Sequence, residues 1–188
     1  MEKKTALWVK ILIPVLIVAV IGGIWIFKTV SEKSAEDPSS SQETADLPSN
    51  LEGADFSLIA TKQINFEELA EYGLPVIADY GADSCIPCKQ MAPVLKKLNT
   101  EMYGKAFIKF VDVWQYNEAS SNVPVQVIPT QVLFNADGTP FVPSDELAKE
   151  IKFDMYSDKT SGKHIFTVHQ GGLTEEQMRT ILAEMGVK

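Results

Sequence analysis

From residue 56 onward the chain switches repeatedly between runs of period two and runs of helical period, and each switch marks an element. Phe56 to Ala60 is a short apolar run that predicts a strand. Asn65, with Glu68 three residues on, makes a capping-box pattern ahead of Leu69 and Ala70, and Gly73 closes that helix. Residues 75–81, PVIADYG, read as a buried strand. From Cys85 the period becomes helical: Met91, Val94, Leu95, Leu98 and Met102 share a face, Lys89, Lys96 and Lys97 fall mostly off it, and Pro93 predicts a kink. Ala106–Trp114, Thr130–Phe134 and His164–Gln170 read as strands, with the turn dipeptide Asp137-Gly138 after the second of these. Thr174 and Gln177 repeat the capping-box pattern before Met178, Ile181, Leu182 and Met185 at helical spacing. The order β-α-β-α-β-(α)-β-β-α predicts an α/β sandwich around a central sheet.

Before this domain the pattern is of a different kind. Ile11 to Phe27 is 17 residues without a charge, and counting from Leu7 gives 21 interrupted only by Lys10. About 20 residues of helix cross the hydrocarbon of a bilayer, so residues 7–27 predict a transmembrane anchor. Trp8 and Trp25 near its ends suit the interfaces, and Lys10 can extend its ammonium to the headgroups. A cleaved signal peptide would have a shorter apolar core and a small-x-small site, whereas Lys33-Ser34-Ala35 puts lysine where a small residue belongs. Lys3, Lys4 and Lys10 precede the span and Lys28 and Lys33 follow it, which favours a short cytoplasmic tail at 1–6 and a C-terminal body outside the cytoplasm. Residues 28–50 read as a flexible linker: SEKSAEDPSSSQETADLPSN, at 31–50, holds six serines, two prolines and no aromatic residue. The globular domain is then 51–188.

Charge narrows the functions. The 188 residues carry 17 Lys+Arg against 25 Asp+Glu, a net −8, and an acidic body repels phosphate backbones, so no nucleic-acid partner is expected. Two cysteines cannot make a disulfide-rich scaffold, and with two histidines they leave too few ligands for an ordinary zinc site. No metal and no cofactor is expected.

Both cysteines fall in one motif, Cys85-Ile86-Pro87-Cys88, where a strand-loop meets a helix. The first sulfur at a helix N-terminus meets unpaired N–H groups and the positive end of the helix dipole, which stabilise a thiolate. The second, one turn on, is placed to attack a mixed disulfide formed on the first, the geometry of thiol–disulfide exchange. An inert staple is a poor use for so short a loop, because closing it removes little chain entropy.

These residues resemble the thioredoxin family over most of 51–188, through PVIADYGADSCIPCKQMAPVLKKL, then VIPTQVLF, then the closing GGLTEEQM helix. The resemblance implies a thioredoxin fold. It implies that Cys85 is the nucleophile, Cys88 the resolving cysteine and the two together the redox disulfide. It further implies a cis Pro129 facing the pair, with Ile128, Ile86 and Pro87 lining a groove that takes an extended peptide by strand addition. Asp79, six residues before Cys85, matches the family's buried acid, the proton acceptor for the second cysteine; the other reading is an acid at a strand end bonding turn amides.

The chain also departs from the family pattern. Ser84 stands where an aromatic residue normally precedes the motif, Gly81 where the preceding strand usually has tryptophan, and Ile86 where the family has glycine. Phe110 replaces the lysine that often accompanies the buried acid, with Lys109 beside it facing the other way. Residues 142–163 are an insertion before the last strand, read as a helical turn and an extra strand that either recognises a partner or caps the sheet edge. His164 and His169 read as strand residues, His169 also as a group that could tune the site, and Trp114 as a packing residue. The expected function is a bacterial, single-pass, membrane-tethered protein-disulfide reductase working outside the cytoplasm. Its expected partners are protein disulfide substrates, including apocytochrome c thiols or other oxidised secreted proteins, and a membrane thiol-electron donor. The alternatives are a disulfide oxidase or isomerase, or a thioredoxin-like binding module without catalysis.

Overall fold

The computed structural model describes residues 48–188; the tail expected at 1–6, the anchor at 7–27 and all but the last three residues of the linker at 28–50 lie outside them. No helix among the described residues is long and apolar enough to cross a membrane.

Helix α1 (Phe66–Ala70) starts where Asn65 accepts the Glu68 amide on its side chain. Strand β1 (Val76–Gly81) is buried along its whole length and leads into α2 (Ile86–Glu101), with Pro93 inside the helix. Strands β2 (Phe107–Asp112) and β3 (Thr130–Phe134) follow. The insertion supplies the four-residue helix α3 (Leu147–Glu150) and strand β4 (Asp154–Ser157). Strand β5 (His164–Gln170) and α4 (Glu175–Glu184) close the chain, the latter begun by a complete capping box of Thr174 and Gln177.

The sheet runs β2-β1-β3-β5-β4, with β1 and β2 parallel and the other neighbours antiparallel. Strand β4 thus takes the outer place beside β5, covering an edge that the two-strand ending would have left open. Alternation along the strands divides the interior into two cores. Ile77 and Leu133 face Met91, Leu95 and Leu98 of α2 and Met178 and Ile181 of α4. Val76, Ala78, Tyr80 and Val132 face the other way, with Phe56, Ile64 and Phe107.

Two expectations are corrected here. Phe56–Ala60 is not a strand; only Ile59 makes an isolated bridge, to Phe110. Leu58 O accepts the Phe110 amide and Phe110 O the Ala60 amide, but the pairing goes no further: side chains take the neighbouring carbonyls, the Lys109 ammonium those of Asp55 and Ser57 and Asn99 Nδ2 that of Phe56. Trp114 is not a packing residue: β2 stops at Asp112, whose carboxylate accepts the Trp114 and Gln115 amides and turns the chain outward, leaving the indole 65% exposed.

Candidate functional site

Strand β1 ends under the start of α2, and this junction carries the two cysteines. Cys85 caps α2 and its sulfur accepts the Cys88 amide at 3.3 Å, so the first turn of a 16-residue helix aims its free N–H groups and positive dipole end at that sulfur. Cys85 and Cys88 are disulfide-bonded, with Cα atoms 5.3 Å apart. The two sulfurs differ in access: Cys85 is half-buried, Cys88 only 3% exposed.

The loop before the pair is held by a residue that the sequence pattern did not single out. Asp112, at the end of β2, accepts the Asp83 amide on one oxygen and the Trp114 and Gln115 amides on the other. Burial works to raise its pKa, but the three amide donors outweigh it and keep the carboxyl below its ordinary value. The sequence carried no clear signal for it, because the apolar Val113 and Trp114 that follow extend the expected strand past Asp112.

Facing the pair, the Ile128–Pro129 peptide is cis, and Ile128 O lies 3.9 Å from Cys85 Sγ. Pro129 is buried, its carbonyl accepting the Gly171 amide, while Ile128 is half-buried and Val127 exposed. Ile86, 72% exposed, and Pro87 stand on the outer side of the first helical turn. Cys85, Ile86, Pro87 and Ile128 thus reach one surface, with Cys88 and Pro129 buried under it.

Asp79 lies beneath it. It is fully buried on the α2 side of β1, two residues before Gly81, and a Cβ built on Gly81 would come within 3.2 Å of Cys88 Sγ and 3.0 Å of the Phe110 ring. Glycine is what allows the cysteine to seat against the strand. Asp79 is not at a strand end and accepts no turn amide; its one donor is Gln131 Nε2, at 2.6 Å on Oδ1. Burial pushes its carboxyl up to about 7, with the Gln131 bond opposing that rise only in part. Gln131, a polar residue just ahead of the apolar run Val132-Leu133-Phe134, was also missed from sequence; its alternation with Thr130 and Val132 puts it on the Asp79 face.

A hollow of about 150 Å³ lies beside Cys88, lined among others by Leu58, Ile59, Ala82, Lys89 and Phe110. Lys109 is on the far face, as expected, and Phe110 is the cross-strand partner of Asp79. His169 lies in β5 opposite Gln131, with Nδ1 2.8 Å from Lys152 O, and His164 Nε2 meets Phe166 O, so neither histidine reaches the sulfurs. Among the described residues no cluster of His, Cys, Asp and Glu could hold a metal ion.

A buried and a reachable sulfur joined across one helical turn, at the helix N-terminus and against a cis-proline loop, define a thiol–disulfide redox centre. Residues 57–152, just over half of the chain, match the family model described as Thioredoxin. This chain belongs to the thioredoxin family and is a thiol–disulfide oxidoreductase. Among curated relatives it is 43% identical over 61 residues to Thioredoxin 1 of Chlorobaculum tepidum, covering 32% of this chain and 60% of that protein. It is 33% identical over 99 residues to the thioredoxin of Staphylococcus haemolyticus, covering 50% of this chain and 93% of that one. Among solved structures, Fasciola hepatica thioredoxin is 22% identical with a TM-score of 0.46, over 69% of this chain and 99% of that one.

Proposed function

We propose that this chain is a membrane-tethered reductase of disulfides in exported proteins, with Cys85 as nucleophile and Cys88 as resolving cysteine. The observation that carries the reading is the asymmetry of the pair, one sulfur reachable at the helix N-terminus and the other almost wholly enclosed. The reachable thiolate attacks the client disulfide; the client's leaving sulfur takes the electron pair, and Cys85 is joined to the client. Cys88 then attacks Cys85, releases the reduced client and leaves the Cys85–Cys88 disulfide. Asp79 takes the Cys88 proton in that second step. The client lies as an extended segment along Ile128, between Val127 and the Ile86-Pro87 turn.

The tether rests on the apolar run at residues 7–27, and the extracytoplasmic side on the lysines ahead of it. A reductase in that place needs a membrane thiol donor to reduce its disulfide again. Cytochrome c maturation is one process that supplies clients of this kind.

The deciding experiment equilibrates the full chain, in lipid nanodiscs, across thiol buffers and reads its redox state by alkylation shift. A potential near about −270 mV supports the reductase, and one near about −120 mV makes the chain an oxidant or isomerase. Cys85→Ser should abolish turnover of a disulfide client, and Cys88→Ser should trap the client on Cys85. Full function in Cys85→Ser would leave a binding module.

A further inference from the structure

Three buried side-chain atoms among the described residues lack a hydrogen-bond partner: Asp79 Oδ2, Gln131 Oε1 and the Tyr80 hydroxyl. The first two belong to side chains already joined to each other. Asp79 and Gln131 are directly paired across β1 and β3, so both leave the sheet on the same face, and both are fully buried. Gln131 Nε2 donates one hydrogen to Asp79 Oδ1 at 2.6 Å and turns the other toward Met91 Sδ at 3.6 Å. That second contact fixes the amide, because turning it over would set its oxygen against the sulfur and lose the donor there. Two acceptor oxygens then remain, one on each side chain, with a donor for neither. An ionised carboxylate has no hydrogen to give, whereas a single proton on Oδ2 would supply the missing donor.

We propose that Gln131 is the positioning residue for the Asp79 proton: in the disulfide form Asp79 is protonated on Oδ2, and acid and amide close a pair, Nε2–H to Oδ1 and Oδ2–H to Oε1. The surroundings agree with a neutral acid. Among the described residues no ion pair includes Asp79. Lys109 is turned to the opposite face, Phe110 occupies the neighbouring position on β2, and His169, across from Gln131 on β5, directs Nδ1 to a backbone carbonyl. An unmet buried polar atom costs the desolvation of that atom with nothing in return, so one proton that satisfies two of them is favoured.

The catalytic consequence rests on the proposed role of Asp79; the pair itself does not. When the thiolate of a dithiol donor attacks Cys85, the Cys85–Cys88 bond breaks and its electron pair goes to Cys88 Sγ. The Oδ2 proton neutralises that sulfur, a mixed disulfide stands at Cys85, and Asp79 is left as a carboxylate still held by Gln131 Nε2–H. In the reverse step Cys88 returns its proton to Oδ2 as it attacks Cys85. Gln131 keeps an acceptor for that proton while the disulfide lasts.

The test is the infrared spectrum of the oxidised full chain at pH 6, where exposed carboxyls are ionised and a protonated buried one shows a separate C=O stretch. The expected band is present in the wild type, lost in Asp79→Asn, and moved to higher frequency in Gln131→Leu, where both hydrogen bonds are gone. Gln131→Met, an unbranched side chain of similar length, serves if the leucine variant fails to fold, with near-ultraviolet circular dichroism as the check. No band lost in Asp79→Asn, or a band unmoved by either Gln131 substitution, overturns the proposal. A band that moves as expected while Asp79→Asn turns over at the wild-type rate upholds the pair and overturns the catalytic role of Asp79.

Discussion

Two ionisable side chains are buried on opposite faces of the neighbouring strands β1 and β2, and they are treated in opposite ways. Lys109 of β2, 3% exposed, donates to Asp55 O at 2.6 Å, to the Asp55 carboxylate at 3.0 Å and to Ser57 O at 2.8 Å. Its three hydrogens are all used, and its charge is paired. Asp79 of β1, on the other face and fully buried, has one donor for two oxygens, and burial pushes it up to about 7. The lysine is satisfied and therefore structural, since it pins the segment before α1 to the sheet. The acid is left one donor short beneath the cysteine pair, and its burial, opposed only in part by the one Gln131 bond, puts its proton equilibrium near neutral pH. A buried charge completed by its surroundings holds a fold together, and one left incomplete is available for chemistry.

The largest expected effect breaks the comparison on the acid side. The unfolded chain releases the Asp79 proton near the ordinary 3.8, while the folded chain keeps it to about 7. Between those values the folded state binds more protons, so stability falls as pH rises through the window and the loss is complete above about 7. A shift of that size corresponds to about 4 kcal/mol. Asp79→Asn should therefore be more stable than the wild type at pH 8 by a few kcal/mol and show no such gain at pH 4, in urea unfolding with the disulfide intact. A difference independent of pH would mean that Asp79 does not titrate in this range.

Lys109→Met tests the other side. Removing the ammonium strands two backbone carbonyls and should cost about 2–3 kcal/mol, the Asp55 carboxylate adding little because solvent already screens it. The reduction potential should stay where it was. A potential that moves with Lys109→Met would show that the lysine acts on the redox site through the sheet.

What the sequence shows and hides divides along the same line. The elements from α1 to α4 were legible because burial of one or both faces imposes a period, and because Asn65, Thr174 and Gly138 carry local signals that their backbone positions require. The cysteine pair was legible from its short motif, and Pro129 from the resemblance to the thioredoxin family. Phe56–Ala60 misled because an apolar run says nothing of where its carbonyls go, and here Asn99 of α2 takes that of Phe56 and Lys109 of β2 that of Ser57. Gln131 and Asp112 were hidden for a related reason. Each acts through a partner far along the chain, Asp79 or the loop at Asp83, and the pairing appears only once β1, β2 and β3 lie side by side.

A smaller effect tests how closely the site is packed. Gly81→Ala would place a methyl 3.0 Å from the Phe110 ring and 3.2 Å from Cys88 Sγ. The ring can give way more easily than the sulfur, so a cost of about 1–2 kcal/mol is expected in the disulfide form. The reduced form, whose Cys88 is free to turn, should lose less, and the variant should be the easier to reduce. Equal destabilisation of the two forms, by urea unfolding with and without a reductant, would mean that Phe110 alone takes up the strain.

The smallest effect separates local from global causes. Helix α4 packs on the Asp79 side of the sheet through Met178 and Ile181, and the bonds of its capping box run between Thr174 and Gln177 alone, neither to the acid nor to Gln131. Thr174→Ala removes the hydroxyl that accepts the Gln177 amide and should cost about 1 kcal/mol. If one donor from Gln131 and the surrounding burial set the Asp79 equilibrium, that loss lowers the melting temperature without moving the pH at which Asp79 titrates. Carbon-13 NMR of the Asp79 carboxyl reads the titration directly. A midpoint that drifts with Thr174→Ala would mean that the acid reports the looseness of the whole α4 side, and that its difference from Lys109 lies in the rigidity of its face instead of in its missing donor.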